Sequence, residues 1–164
     1  LIIFSVQSMV AGGAIGIGLL YLGTRIFFKG KSQITKKLIL LVLGIGLVIL
    51  IIAFGDPNSV QVISLTPVNS QLNLVLGASI LVWHLIMASL SINHLENVRK
   101  SAIEENDIQT NRKIKYIIAG FFLSIIALLI YSVGNFGESP IIDILFLLFS
   151  TIDLICIYRG LVKS

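Results

Sequence analysis

The chain has 164 residues, of which 56% are hydrophobic and only 12% are charged, and its mean hydropathy is +1.00. This composition lies far outside the range of soluble domains and predicts an integral membrane protein. The net charge of +4 comes without the aromatic and basic groove of a nucleic-acid-binding domain, so nucleic acid is excluded as a partner.

Five long apolar stretches follow one another along the chain, and each is close to the about 20 residues that a helix needs to cross a bilayer. We therefore predict an all-α, multi-pass membrane protein in which residues 1–164 form a single transmembrane domain. A membrane β-barrel is excluded, because its strands alternate apolar and polar residues, whereas these stretches are apolar on all sides. The five predicted spans cover about residues 2–24, 38–55, 72–92, 116–134 and 140–158.

All twelve Lys and Arg residues fall on one side of the predicted bundle. They lie between the first and second spans, between the third and fourth spans, and after the fifth. The connections 56–71 and 135–139 contain Asp56 and Glu138 but no basic residue. The positive-inside rule therefore predicts an outside N-terminus, a cytoplasmic C-terminus and a location in the cell membrane.

The first span, which contains SMVAGGAIGIG, is the richest in small residues and is the predicted centre of the bundle. Gly12 and Gly16 form a GxxxG pattern, the spacing that lets two membrane helices approach closely. The second span has little polarity and is predicted to face lipid. An adjacent face of the first span carries Gln7, Ala11, Ala14, Gly18 and Tyr21.

The loop after the second span, GDPNSVQVISLTPVNSQ, contains a short β-prone stretch from Val60 to Leu65. Its uncharged apolar middle predicts contact with lipid or with another subunit. Apolar residues keep helical spacing beyond the third span, so we predict that the third helix continues to about Glu104. Asp107 or Thr110 then caps the fourth helix, and helices three and four form a hairpin that projects on the cytoplasmic side.

Small and polar residues on the third and fourth helices predict the faces that meet other helices. On the third helix they are Asn73, Gly77, His84, Ala88 and Ser91. On the fourth helix they are Gly120, Ser124, Ala127 and Tyr131. Across the chain, the predicted helix-packing positions are Gly12, Gly16, Gly77, Gly120 and Ser124.

The fifth span, which contains FLLFSTIDLICIYRG, places Asp153 in a run of Leu, Ile, Phe and Cys. Asp153 lies about 13 residues and His84 about 12 residues from the outer ends of their helices, roughly 18–20 Å below the outer surface. An ionisable group exposed to acyl chains is strongly unfavourable, so we predict a His84–Asp153 hydrogen bond or ion pair between helices three and five. Such a pair acts either as a structural clamp or as a proton relay.

The sequence carries no recognisable enzyme constellation. It has no HExxH, no GxSxG and no Ser/His/Asp order. A bis-histidine haem is excluded because His84 and His94 lie about 15 Å apart along one helix. His84, Asp153 and Cys156 are the best available metal ligands and are too few. We therefore predict no catalytic residue, no cofactor and no metal.

Three functions remain open. The favoured one is a non-catalytic accessory subunit of a larger membrane protein complex, with the lipid bilayer and other membrane subunits as partners. The second is the transmembrane input region of a sensor or receptor; the chain begins at Leu1 without a start Met, and this function predicts a natural chain that extends beyond Ser164. The third is a small transporter or channel that uses the His84–Asp153 pair.

Overall fold

The computed structural model describes residues 2–29, 34–65, 68–134 and 140–162. Each of the five helices in these segments is long and apolar enough to cross a membrane, which confirms the five-helix prediction. The chain divides into two compact units, Leu1–His84 and Leu85–Ser164. The elements in chain order are α1 (Ile2–Lys29), α2 (Lys36–Gly55), β1 (Val60–Leu65), β2 (Val68–Leu72), α3 (Leu74–Glu104), α4 (Ile108–Gly134) and α5 (Pro140–Val162).

The helices extend beyond the predicted spans at their basic ends. α1 runs on to Lys29, α2 begins at Lys36, and α5 continues to Val162. Lys and Arg are good helix formers, so the charged residues that end a membrane-crossing stretch do not end the helix. α3 ends at Glu104, as predicted.

α1 and α2 pack against each other in the first unit. Glycine permits this close approach: a Cβ at Gly18 would lie 2.6 Å from Cγ1 of Val42, and one at Gly46 would lie 3.3 Å from Cγ1 of Ile15. These contacts run in opposite order along the two helices, so the pair is antiparallel. The buried residues of α2 are spaced four, three and four apart, as one helical face requires: Val42, Gly46, Ile49 and Ala53.

A β-hairpin follows α2, and the all-α prediction missed it. The β-prone stretch forms β1, which pairs with β2 in an antiparallel register that matches Val60 with Leu72 and Gln61 with Gln71. The register shifts between Val62 and Ser64. β2 was not predicted because VNSQL contains Asn, Ser and Gln, which carry little strand propensity, and its pairing with β1 determines its conformation.

α4 and α5 form an antiparallel pair in the second unit. A Cβ at Gly120 would lie 2.5 Å from Cγ1 of Ile157, and one at Gly160 would clash with Cγ1 of Ile117. Near the opposite end of the pair, the rings of Tyr131 and Phe146 lie 5.1 Å apart. The two helices therefore contact each other along most of their length.

The turn between α3 and α4 spans only three residues. The N–H of Asp107 donates to the carbonyl of Ala102 at 2.8 Å, and that of Asn106 donates to the carbonyl of Ile103 at 3.1 Å. This is the Schellman arrangement, in which one residue takes a left-handed conformation, and Asn106 does so with φ 57°. Asp107 Oδ1 then accepts the Thr110 N–H at 2.9 Å, so Asp107 is the N-cap of α4.

The Asp107 cap gives the α3–α4 turn a defined pH dependence. Hydrogen bonds from the side chain and then the backbone N–H of Thr110 lower the pKa of the Asp107 carboxyl. Because the folded pKa is depressed, the stabilisation is present above the ordinary aspartate pKa and is lost as the pH falls through the folded value. We expect the Thr110 amide resonance in micelles to titrate with a midpoint below the ordinary aspartate value.

Asp107→Asn is the matched control, because Asn also caps helices but does not titrate in this range. The Thr110 resonance of this variant should stay flat over the same pH range. A midpoint at or above the ordinary aspartate pKa in the unsubstituted protein would contradict the cap.

Candidate functional site

A buried polar network joins α1, the end of α2 and the following loop. Gln7 Nε2 donates to the carbonyl of Ala53 at 2.7 Å and to Oγ of Ser59 at 3.1 Å. The Ser59 hydroxyl donates to the same carbonyl at 2.6 Å. The carbonyl of Ala53 belongs to the last turn of α2, where no intrahelical N–H is available to it. Side chains from α1 and the loop therefore complete the hydrogen bonding of this helix end.

The loop is closed by a second set of hydrogen bonds. Asp56 Oδ1 accepts the N–H of Asn58 at 2.9 Å, and Oδ2 accepts Nδ2 of Asn73 at 2.7 Å. Asn73 Oδ1 accepts the N–H of Leu76 at 2.8 Å, so Asn73 caps α3 and precedes its packing face. The Asn73 N–H donates to the carbonyl of Ser59 at 2.8 Å. Asn73 was predicted on the packing face of α3, because residue spacing alone does not distinguish an N-cap from the first turn of a helix.

Trp83 ties α3 to α1 within the first unit. Its Nε1 donates to the carbonyl of Ala14 at 2.8 Å, and the side chain is buried. A carbonyl has two lone pairs, so Ala14 can accept this bond without losing its helical one. Gly18 leaves room for the ring, since a Cβ there would lie 3.4 Å from Cζ2 of Trp83. This contact was not predicted, because Trp83 lies in an apolar stretch and is not distinguished there from the other apolar residues.

The two faces predicted on α1 differ in the structure. The face that carries Gln7 and Tyr21 is buried. Gly12 and Gly16 are exposed, and no atom of the described segments lies within 4 Å of a Cβ placed at either position. Gly77 on α3 is half-buried, with a Cβ there 3.9 Å from Cβ of Leu72.

The predicted positions Gly120 and Ser124 lie in the α4–α5 contact. A Cβ at Gly120 would lie 3.0 Å from the carbonyl oxygen of Asp153. Ser124 is buried, and its hydroxyl donates to the carbonyl of Phe121 at 2.9 Å. The antiparallel register that matches Gly120 with Ile157 brings Ser124 to the level of Asp153. Asp153 is 8% exposed, so it lies on a covered face of α5.

The predicted partners His84 and Asp153 belong to different units. His84 is half-buried at the end of the first unit, one residue after Trp83, and Asp153 lies in the second. Their pairing stays a prediction. Within the described segments, no group of three or more His, Cys, Asp or Glu residues is arranged to hold a metal ion.

Arg25 occupies the basic end of α1. Its Nη1 donates to the hydroxyl of Tyr21 at 3.0 Å, and its Cζ lies 5.7 Å from the centroid of that ring. Arg25 Nε is shielded from solvent and has no acceptor among the described residues. The neighbouring Thr24 is 1% exposed, and its hydroxyl donates to the carbonyl of Tyr21 at 2.8 Å. From the sequence, Arg25 was considered only as one of the twelve basic residues that predict the orientation in the membrane.

Substitution of the contact glycines tests the α4–α5 contact. Gly160→Ala places a methyl group against Ile117 and 2.8 Å from the carbonyl oxygen of Lys113. Overpacking costs about 1–3 kcal/mol, and the higher helix propensity of Ala offsets up to ~1 kcal/mol of it. We expect Gly160→Ala to lower the free energy of unfolding by roughly 1–2 kcal/mol in a detergent titration. Gly44→Ala is the control, because nothing described lies within 4 Å of its Cβ, and it should not destabilise.

Removal of the Gln7 amide tests the buried network. Gln7→Leu deletes both donors to Ala53 and Ser59 and should lower the free energy of unfolding by about 1 kcal/mol. It should also speed proteolytic cleavage within residues 60–72, because the loop loses its attachment to α1. Gln61→Leu is the matched control, since Gln61 is exposed on β1. Equal effects of the two substitutions on stability and on cleavage would contradict the network.

Comparisons with known proteins identify no relative of this chain. No protein-family model matches the chain, and neither a curated protein nor a solved structure does so. The function is therefore argued from the residues and contacts of this chain alone.

Proposed function

We propose that this chain is a multi-pass membrane protein that serves as a non-catalytic accessory subunit of a larger membrane complex. Five helices with the length and apolarity of membrane spans support its placement in a bilayer. Most of their outward-facing residues are large and apolar, as lipid-facing helices require; for example, Leu40 is 70% exposed.

The charges at the helix ends support an outside N-terminus and a cytoplasmic C-terminus. Arg25 lies near the end of α1, and α2 begins at Lys36. Lys100 lies near the end of α3, Lys113 near the start of α4, and Arg159 in the last turn of α5. If the helices cross in alternate directions, all these ends lie on one side, which the positive-inside rule assigns to the cytoplasm.

The observation that carries the subunit role is the open face of α1. Ser8, Gly12 and Gly16 follow one another at intervals of four residues, and all three are exposed. In lipid, small residues at this spacing let a second helix pack at short distance, whereas a lipid-facing surface gains nothing from them. α1 already packs through its other face within the first unit. A helix of another subunit is therefore the expected occupant of the open face.

Purification under mild conditions tests the subunit role. Extraction in a gentle detergent, followed by mass determination of the intact particle and its components, should reveal a heteromeric assembly. Gly12→Leu and Gly16→Leu should release the partner without unfolding this chain, because nothing described lies close to either position. Gly44→Leu is the control, since Gly44 is equally open but lies on α2. A particle that contains only this chain would contradict the proposal.

The same mass determination distinguishes the subunit role from the transporter hypothesis, which the burial of Asp153 favours. A buried carboxylate within a span often marks an ion or proton pathway. A homo-oligomer would support this second candidate, because a pore or pathway could then form from several copies of α5.

A further inference from the structure

We propose that the basic end of α1 and α2 binds the headgroup of an anionic phospholipid, with the Arg25 guanidinium as its main ligand. This inference rests on the membrane placement proposed above but not on the subunit role. It assigns a ligand class to Arg25 and applies whichever side of the membrane this end occupies.

Arg25 has hydrogen-bond donors for which the described residues supply no acceptor. A guanidinium offers five N–H donors in a planar fork, and the described residues supply one acceptor, the Tyr21 hydroxyl. The Tyr21 ring and the bond at Nη1 hold the group in place. Nε also has no acceptor in the described segments, but it is shielded from solvent, so an incoming phosphate would bind the Nη end of the fork.

The groups near Arg25 are positively charged. The α1–α2 register, in which Gly18 meets Val42 and Ile15 meets Gly46, brings Arg25 to the level of the first residues of α2. Lys36 and Lys37 are exposed there. The N-terminus of α2, capped by Thr35, adds the positive end of a helix dipole. All of these charges favour an anion.

The first unit contains no acidic residue near Arg25. The sequence of residues 1–84 contains one acidic residue, Asp56. Asp56 lies at the opposite end of α2, about 30 Å away by helical rise, and its carboxylate already binds Asn58 and Asn73. Arg25 therefore has no carboxylate partner within its own unit.

The surroundings favour a lipid over a soluble phosphate. Immediately beside the basic cluster, the outer surface is apolar: Phe27 is 55% exposed, Leu40 is 70% exposed and Leu43 is 45% exposed. A phospholipid can place its phosphate against Arg25 and lay its acyl chains along these residues. Free phosphate would gain only the charged contacts, and these are weaker in water.

The single tryptophan provides a reporter for the test. Trp83 packs on α1 through its bond to Ala14, so its emission follows unfolding of the first unit. The protein is unfolded by heat in zwitterionic micelles that contain phosphatidylglycerol or phosphatidylcholine at equal mole fractions. We expect phosphatidylglycerol to raise the unfolding temperature in a saturable manner and phosphatidylcholine to leave it unchanged.

Arg25→Gln should weaken the apparent affinity for phosphatidylglycerol about fivefold, the factor expected for one basic group at a membrane surface. Arg25→Lys should recover only part of it, because an ammonium cannot form the planar fork. Arg112→Gln is the matched control: it removes the same charge from an exposed arginine of the second unit and should leave the affinity unchanged. If Arg25→Gln does not fold, the paired substitution of Lys36 and Lys37 by Gln provides the same readout.

Three results would overturn the inference. Equal losses for Arg25→Gln and Arg112→Gln would indicate attraction by net charge alone. Stabilisation by inorganic phosphate in place of the lipid would indicate a soluble anion. Equal unfolding temperatures with the two phospholipids would indicate that Arg25 binds an acidic group of a partner protein and not a lipid headgroup. A different result would contradict the membrane placement: a chain that stays folded and monodisperse without detergent.

Discussion

The constraint on which this structure depends is that peptide groups in apolar surroundings must find hydrogen-bond partners inside the protein. Helices meet this requirement within each segment, so five apolar stretches become α1 to α5. The requirement is unmet at helix ends, and the chain satisfies it there with side chains. Thr35, Asn73 and Asp107 cap the starts of three helices, while Gln7 and Ser59 bind the Ala53 carbonyl at the end of α2.

Polar side chains inside the first unit also join one helix to another. Gln7 and Trp83 both donate to carbonyls of another helix, one at a helix end and one in a helix middle. A hydrogen bond to backbone specifies the relative position of two helices more narrowly than apolar contact alone, because its distance and angle limits are strict. These residues therefore set the positions of the helices of the first unit relative to one another.

Glycine has two different roles in the chain. At Gly18, Gly120 and Gly160 the absence of a side chain lets a neighbouring helix approach, since a Cβ would lie within 3 Å of it. At Gly12 and Gly16 the space beside the helix is open. Both groups look alike in the sequence, and only the contacts of the folded chain distinguish them.

The sequence by itself determined the number of long apolar helices and several of their boundaries. Long apolar runs are sufficient evidence for helices, and the extension of α3 to Glu104 followed from apolar spacing. The sequence offered Asp107 or Thr110 as the cap of α4, and the structure selects Asp107. Local signals of this kind survive in any tertiary arrangement.

Only the tertiary structure decided which polar and small residues meet. β2 exists through its pairing with β1, and Ser59 and Ala53 meet Gln7 across about fifty residues of chain. The predicted pairing of His84 with Asp153 rested on depth alone and stays a prediction, because depth does not specify direction around a helix. Which face of a helix is covered depends on neighbours that are distant in sequence, and an apolar stretch of near-uniform composition contains too little pattern to identify them.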